Sequence, residues 1–261
     1  MKPDYKNWVP KGMLAGFAAG LTAALALLMI SLFTLLQGAM RTILLAVSAL
    51  AAVILLTATI WLTMMHWVFS YNGKRQLAKA IVEGTAAYVS IPDGGVGLDV
   101  GCGSGALTIA CAKRNPKARM VGIDRWGKEY ASFNKPLCEQ NARAEGVSNT
   151  SFQQGNALHL DFPDESFDAV TSNYVYHNIT GANKQECLRE TLRVLKKGGT
   201  FALHDIMSKS RYGDMEAFAA QLRAEGYEKV ELIDTTDGKF MSRREALLMD
   251  LSGSTLLVGR K

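Results

Sequence analysis

Apolar residues follow two different patterns along this chain. Met13 to Leu36 runs for 24 residues without a charge, and Thr42 to Tyr71 runs for 30 residues with no Asp, Glu, Lys or Arg. At about 1.5 Å of rise per residue, roughly 20 apolar residues cross the hydrocarbon core of a bilayer. The pattern predicts two membrane spans, at about 13–36 and 42–66, joined by the short link Gln37-Gly38-Ala39-Met40-Arg41 as an antiparallel hairpin. A cleaved signal has a shorter apolar core and is not followed at once by a second span. Gly12, Gly16 and Gly20 recur at four-residue spacing on the first span, which permits close helix approach. Trp61, Trp67 and Tyr71 suit an interfacial belt, and His66 is expected beside Trp67 at that interface.

From about Lys74 the pattern changes to short apolar runs alternating with amphipathic segments. Strands are predicted at Val96–Val100, Arg119–Ile123, Thr150–Gln153, Phe167–Ser172, Thr200–Asp205, Val230–Ile233 and Ser254–Gly259. Helices are predicted at Arg75–Val89, Ala106–Arg114, Glu129–Glu145, Lys184–Leu195 and Met215–Glu225. This alternation implies an α/β domain, a Rossmann-like and mostly parallel seven-stranded sheet with helices on both faces. The expected division is a hairpin over 1–73 and the α/β domain over 74–261. The segment 234–252, with Arg243-Arg244, has no clear pattern and could cap a substrate site or touch anionic headgroups.

Charge refines this division. The chain carries a net charge of +5, but residues 1–79 hold seven basic side chains and one acid, +6, while residues 80–261 hold 22 basic and 23 acidic, −1. No basic field covers the folded domain, which argues against nucleic acid as a partner. Basic residues flank the spans at Lys2, Lys6 and Lys11 and at Lys74, Arg75 and Lys79, with Arg41 alone in the link. That distribution predicts a two-span protein of the cell membrane with both termini and the α/β domain cytoplasmic. Cys102, Cys111, Cys138 and Cys187 show no paired spacing, so neither a metal site nor a disulfide framework is expected.

The chemistry centres on Leu98-Asp99-Val100-Gly101-Cys102-Gly103-Ser104-Gly105, a buried strand entering a glycine-rich turn. Glycines on alternate positions let the backbone bend sharply and approach a ligand. In open α/β sheets that turn lies at the carboxyl ends of the strands, where ligands bind. Asp124 ends the second strand, 23 residues after Gly101, the usual place for a carboxylate that accepts from ribose hydroxyls. Dinucleotide folds carry GxGxxG and present a helix N-terminus to a pyrophosphate. Here the spacing is GxGxG with Asp99 just upstream, which disfavours a pyrophosphate and suits an ammonium or sulfonium.

At these residues the chain resembles the class I S-adenosylmethionine-dependent methyltransferases, in their small-molecule, quinone or sterol branch. The resemblance continues through VGID ending at Asp124, Gly155-Asn156-Ala157, FPDESFDAV at 162–170 and LRVLKKGG at 192–199, and covers roughly 75–261. It implies S-adenosyl-L-methionine as cofactor. Asp99, Gly101, Cys102, Gly103 and Gly105 would hold the methionine end, Asp124 with its neighbours Arg125 and Trp126 the ribose and adenine side, and Asn156 and Ala157 the adenine. Many relatives carry Asp where this chain has Asn156, whose amide oxygen can also accept from the adenine amino group.

The fourth strand runs out through Ser172-Asn173-Tyr174-Val175-Tyr176-His177-Asn178, the segment that lines the substrate side in such enzymes. Asn173 is placed beside the cofactor. The Asn-Pro-Pro-Tyr signature of amide and adenine methylation is absent, which disfavours those substrates. His177 is the expected general base, since a neutral imidazole accepts a proton near pH 7. Tyr174 and Tyr176 are expected to orient the acceptor, with Asp205 within possible reach. The apolar hairpin biases the acceptor toward a hydrophobic small molecule (a lipid, isoprenoid quinone or thiol) reached alongside membrane lipids. A methyltransferase acting on a membrane protein side chain, a non-catalytic cofactor-binding module and a nicotinamide oxidoreductase are the competing readings. The acceptor atom and the oligomeric state are not set by the sequence.

Overall fold

A computed structural model describes residues 2–35, 37–127 and 132–261. The chain divides into two compact units, residues 6–78 and a larger one that joins the segment up to Tyr5 to Lys79–Lys261. The grouping of that short N-terminal segment with the larger unit leaves no trace in the hydropathy pattern.

In the smaller unit, α1 (Lys11–Phe33) and α2 (Ala39–Phe69) pack against each other. They are 23 and 31 residues long and apolar enough to cross a membrane by length and composition. Their few hydroxyls bond to their own helix: Ser31 Oγ donates to the Leu27 carbonyl at 2.6 Å and Ser48 Oγ to the Leu44 carbonyl at 2.7 Å. Such back-bonding leaves no unpaired hydroxyl at those positions. Arg41, expected in the link but lying in the first turn of α2, donates to the Leu32 carbonyl at 2.9 Å and so satisfies one of the orphan acceptors at the end of α1. At the other end His66 Nδ1 donates to the Val9 carbonyl at 2.7 Å, and Asn7 donates to the His66 carbonyl at 2.8 Å. Of the expected glycine stripe only Gly20 faces the partner helix, at Leu55; Gly12 and Gly16 look onto open space.

The larger unit contains α3 (Leu77–Ala86), β1 (Val96–Val100), α4 (Ala106–Arg114), β2 (Arg119–Asp124), α5 (Lys135–Ala144), β3 (Thr150–Gln154), β4 (Phe167–Asn173) and α6 (Lys184–Arg193). It continues with β5 (Leu195–Ile206), α7 (Lys209–Tyr212), α8 (Met215–Ala224), β6 (Glu228–Asp234), α9 (Arg243–Leu248) and β7 (Ser254–Arg260). The seven strands form one sheet in the order β3-β2-β1-β4-β5-β7-β6. All pairings are parallel except those of β7, which runs antiparallel to both β5 and β6. The expected α/β architecture is therefore present, with the chain reversing its direction of travel across the sheet between β1 and β4.

Alternation along the strands sends side chains to two cores. Val170, Phe201 and Leu203 join Leu188 and Leu192 of α6 and Phe218 and Leu222 of α8. Met120, Ala169, Ala202 and Leu256 join Val82 and Ala86 of α3 and Leu107 and Cys111 of α4.

Several elements differ from the sequence reading: β5 begins at Leu195, five residues before the expected Thr200, and α7 is not among the expected helices. The helix expected from Glu129 begins at Lys135, because Asn134 caps it by accepting from Leu137 N at 2.9 Å; Glu129 itself lies outside the described residues. The unread segment 234–252 holds α9, too short to show a helical period.

Candidate active site

The glycine turn sits where β1 and β4 diverge, the place at which open α/β sheets bind ligands. Gly101 N and Cys102 N both donate to the Ile123 carbonyl, at 2.8 and 2.9 Å, which folds the turn over the end of β2. Gly101 has φ +74°, and a Cβ there would lie 2.3 Å from Val175 Cγ2, so both backbone and space demand glycine. Gly103 has φ +54°, and a Cβ there would meet nothing within 4 Å; the turn opens onto space at this point.

Asp124 borders that space. Its Oδ2 accepts from Gly103 N at 2.9 Å and its Oδ1 from Trp126 N at 2.7 Å, so the carboxylate holds the turn and keeps a second lone pair on each oxygen. Trp126, at φ +45°, donates its indole N–H to the Gly103 carbonyl at 3.0 Å and packs against the cluster of Cys102, Cys138 and Phe152. Turn, carboxylate and indole form one hydrogen-bonded cradle. The Arg125 side chain is exposed beside it. Asn156 Oδ1 accepts from Leu158 N at 3.0 Å, so the oxygen assigned to adenine already closes a local turn, with Ala157 half-buried next to it.

Asp99 is placed differently from the expectation that it touches the methionine end. It is buried, and its two oxygens accept from Thr108 Oγ1 at 2.6 Å and Thr171 Oγ1 at 3.0 Å. Burial pushes its carboxyl up to about 7, although both threonine hydroxyls pull it down. Asp99 thus ties β1 to α4 and β4 beneath the turn through Thr108 and Thr171. The Cys102 thiol is buried and pushed up by that burial, which fits packing and not reactivity.

Beyond the end of β4 the structure assembles a pair. His177 Nδ1 lies 2.5 Å from Asp205 Oδ1, while Asp205 Oδ2 accepts from Tyr176 N at 2.9 Å and His177 N at 3.2 Å. Asp205 also accepts from Ile206 N at 2.7 Å. Burial works to raise its carboxyl, yet the His177 ring, followed by the Tyr212 hydroxyl and the Ile206 N–H, leaves it below the ordinary range, hence ionised. An ionised carboxylate on Nδ1 fixes the tautomer whose Nε2 carries the lone pair.

Three neighbours depart from their expected roles. Tyr176 is a core residue: its ring is buried with Leu188 and Leu192, and its hydroxyl meets Thr191 Oγ1 at 2.5 Å. The Tyr174 hydroxyl is committed to Ser254 Oγ at 2.6 Å, while its ring stands edge-on 6.0 Å from His177 and 4.7 Å from His204. Asn173 turns its amide to His204 Nδ1 at 2.8 Å and not to the cofactor side. His204 continues to Thr235 Oγ1 at 2.9 Å, and burial depresses it to about 3, so it stays neutral. The sequence reading missed Thr108, Thr171, Ser254 and Asn141. Asn141 is buried on α5, donates to the Ser104 carbonyl at 3.0 Å, and exchanges hydrogen bonds with the Asp4 backbone at 2.7 and 3.0 Å. No motif announces these partners, since each is an ordinary polar residue on a different element.

A mostly parallel sheet of this order, with a glycine turn after β1 and a carboxylate at the end of β2, is a Rossmann-like fold that opens a cradle at the carboxyl ends of its strands. The family described as methyltransferase domain matches residues 91–240, and the chain belongs to it; its fold is that of the class I S-adenosylmethionine-dependent enzymes. A demethylmenaquinone methyltransferase from Lactobacillus johnsonii is 36% identical over 112 residues, which cover 42% of this chain and 43% of that enzyme. Among solved structures, the SpnF cyclase has a TM-score of 0.54 at 22% identity, covering 72% of this chain and 82% of its own. The geranyl diphosphate C-methyltransferase of Streptomyces coelicolor has a TM-score of 0.53 at 14% identity, covering 71% of this chain and 79% of its own. At such identities the structural likeness carries the fold alone.

Proposed function

We propose that this protein is a membrane-anchored methyltransferase that transfers a methyl group from S-adenosylmethionine to a hydrophobic small molecule bearing an acidic O–H, C–H or S–H, with an isoprenoid hydroquinone as the leading acceptor. The observation that carries this reading is the His177–Asp205 pair at the substrate end of β4. A base held in one tautomer serves an acceptor that must lose a proton on methylation.

The cradle fits the cofactor: open space at Gly103, a half-buried Asp124 with lone pairs for ribose hydroxyls, and the Trp126 indole closing the turn. When bound, S-adenosylmethionine supplies an electrophilic methyl on a sulfonium. This chain's residues do the rest. The turn fixes the donor, His177 Nε2 takes the acceptor's proton as the new bond forms, and Asp205 stabilises the resulting imidazolium. The likeness to a demethylmenaquinone methyltransferase supports a quinone-type acceptor. The two long apolar helices, with lysines and arginines on the outer flanks, support anchoring with the catalytic domain cytoplasmic. An apolar acceptor partitions into the same bilayer.

The test is turnover by the full chain in membranes supplied with methyl-labelled cofactor and demethylmenaquinol, the quinone being reduced beforehand with dithionite. Label should enter the quinone fraction, and His177→Gln should lower that rate about 10²- to 10⁴-fold while binding of S-adenosylhomocysteine is unchanged. Binding of NAD in preference to the sulfonium cofactor would overturn the assignment.

A further inference from the structure

Outside the hairpin, the large hydrophobic side chains left exposed among the described residues are Leu158, Leu247 and Leu248. Two of these are adjacent on α9, at 72% and 51% exposure. Residues three or four apart share a helix face, so Leu247 stands above Arg243 and Leu248 above Arg244. Ala246 and Met249 fall on the opposite side and are buried. Glu245 lies off the outward face and is half-buried, while Asp234 and Asp237 approach Arg243 at 3.9 and 3.7 Å. The outward face of α9 is thus two arginines at one end and two leucines at the other.

The position of this face matters. β7 begins at Ser254, paired with Ile206 at the end of β5, and β6, one strand further out, ends at Asp234 opposite Thr255 of β7. The connection 235–253 therefore rises from the edge of the sheet that carries His177 and Asp205. It is tied down there: Thr235 bonds His204, Phe240 stacks edge-on to His204 at 5.4 Å, and Ser254 receives the Tyr174 hydroxyl. A rigid platform presents the leucines and arginines at the rim of the acceptor site.

We infer that the outward face of α9 docks on an anionic lipid bilayer, with Leu247 and Leu248 in the acyl boundary and Arg243 and Arg244 on the headgroups, so that the acceptor edge of the sheet opens toward the membrane. Paired apolar and cationic residues on one helix face are the chemistry of interfacial binding. The inference deepens the proposed function and rests on the membrane reading for the source of the bilayer.

The test uses the full chain carrying Leu247→Cys, with Lys197→Cys at the opposite edge as reference; the four native cysteines are buried. Each variant is reconstituted into vesicles of phosphatidylcholine alone or with phosphatidylglycerol and exposed to a membrane-impermeant maleimide. Labelling at 247 should fall several-fold relative to 197 when phosphatidylglycerol is present, and adding R243E with R244E should restore it. Equal labelling at both sites in the anionic vesicles overturns the inference. Carbonate extraction reports separately on the hairpin. A chain that resists extraction yet labels freely at 247 sinks the docking face alone. One that is extracted yet protected at 247 sinks the spanning hairpin alone.

Discussion

At the scale of single residues, what matters is which polar groups are buried and what they bond. Asp99 has a folded carboxyl at about 7 against an ordinary 3.8, because burial outweighs its two threonine donors. A carboxyl raised in the folded state contributes stability that is fully present below about pH 4 and is lost as pH rises through about pH 7. Asp99→Asn removes that titration, so its thermal midpoint relative to the parent should climb between those limits; a parallel offset at every pH would refute the shift. Asp205 behaves oppositely, since its donors hold it ionised through the neutral range. Asp205→Asn should lower kcat about tenfold to a hundredfold with cofactor affinity unchanged, measured by single-turnover and titration calorimetry, because the ring then loses its fixed tautomer. His177 was legible in the sequence as an imidazole following a strand. Tyr176 is expected on the substrate side from the segment's resemblance to the family, and the local backbone places it elsewhere. Tyr174 sits at φ +55° and residues Tyr176–Asn178 form a 3-10 turn, which rotates Tyr176 into the core. Asp205 was visible as an acid ending a strand, but its bond to His177 depends on β4 and β5 lying side by side.

At the scale of elements, motifs that are contiguous in sequence read out well and clamps between distant segments do not. The glycine turn and Asp124 lie on neighbouring strands, and the second-strand carboxylate is set by the length of the β-α-β unit. Asn141 is different. It joins α5, the turn carbonyl of Ser104 and the backbone of Asp4, which is 137 positions away in sequence. Tyr5 adds its hydroxyl to Glu145 Oε1 at 3.1 Å and packs on the cluster beneath the turn with Trp126. Removing the Asn141 amide leaves the Ser104 carbonyl without its side-chain donor, at a cost of about 1–3 kcal/mol. Asn141→Ala should therefore lower the thermal midpoint, and it should shrink the stabilisation that S-adenosylhomocysteine confers, since the turn it braces is the one proposed to hold the cofactor. A calorimetric scan with and without that ligand separates the two effects; an unchanged ligand increment would limit Asn141 to a packing role. Gly101→Ala makes the complementary case. Val175→Ala would clear the 2.3 Å clash with the added Cβ but leave a strained φ of +74°, so the double variant should recover only part of the lost stability.

At the scale of the whole molecule, the N-terminal segment up to Tyr5, a strap held by Asn141 and Glu145, changes how the hairpin is to be tested. Deleting residues 1–73 would remove the apolar helices and, with them, Asp4 and Tyr5, whose partners are in the larger unit. A loss of activity from that deletion would mix two causes. Replacing residues 6–73 with a flexible Gly/Ser linker keeps the strap and discards only the hairpin, and the closure entropy of a long loop grows slowly with its length. The linker chain should bind S-adenosylhomocysteine with an affinity close to that of the parent, whereas the full deletion should bind more weakly. Both should lose turnover of demethylmenaquinol held in vesicles. With the quinone presented in detergent micelles the linker chain should recover most of its rate, because an acceptor delivered in micelles no longer requires an enzyme held at the bilayer. Full vesicle activity in the linker chain would remove the hairpin from substrate access and leave it as an anchor alone. Loss of cofactor binding in both chains would show instead that the larger unit depends on the hairpin to fold.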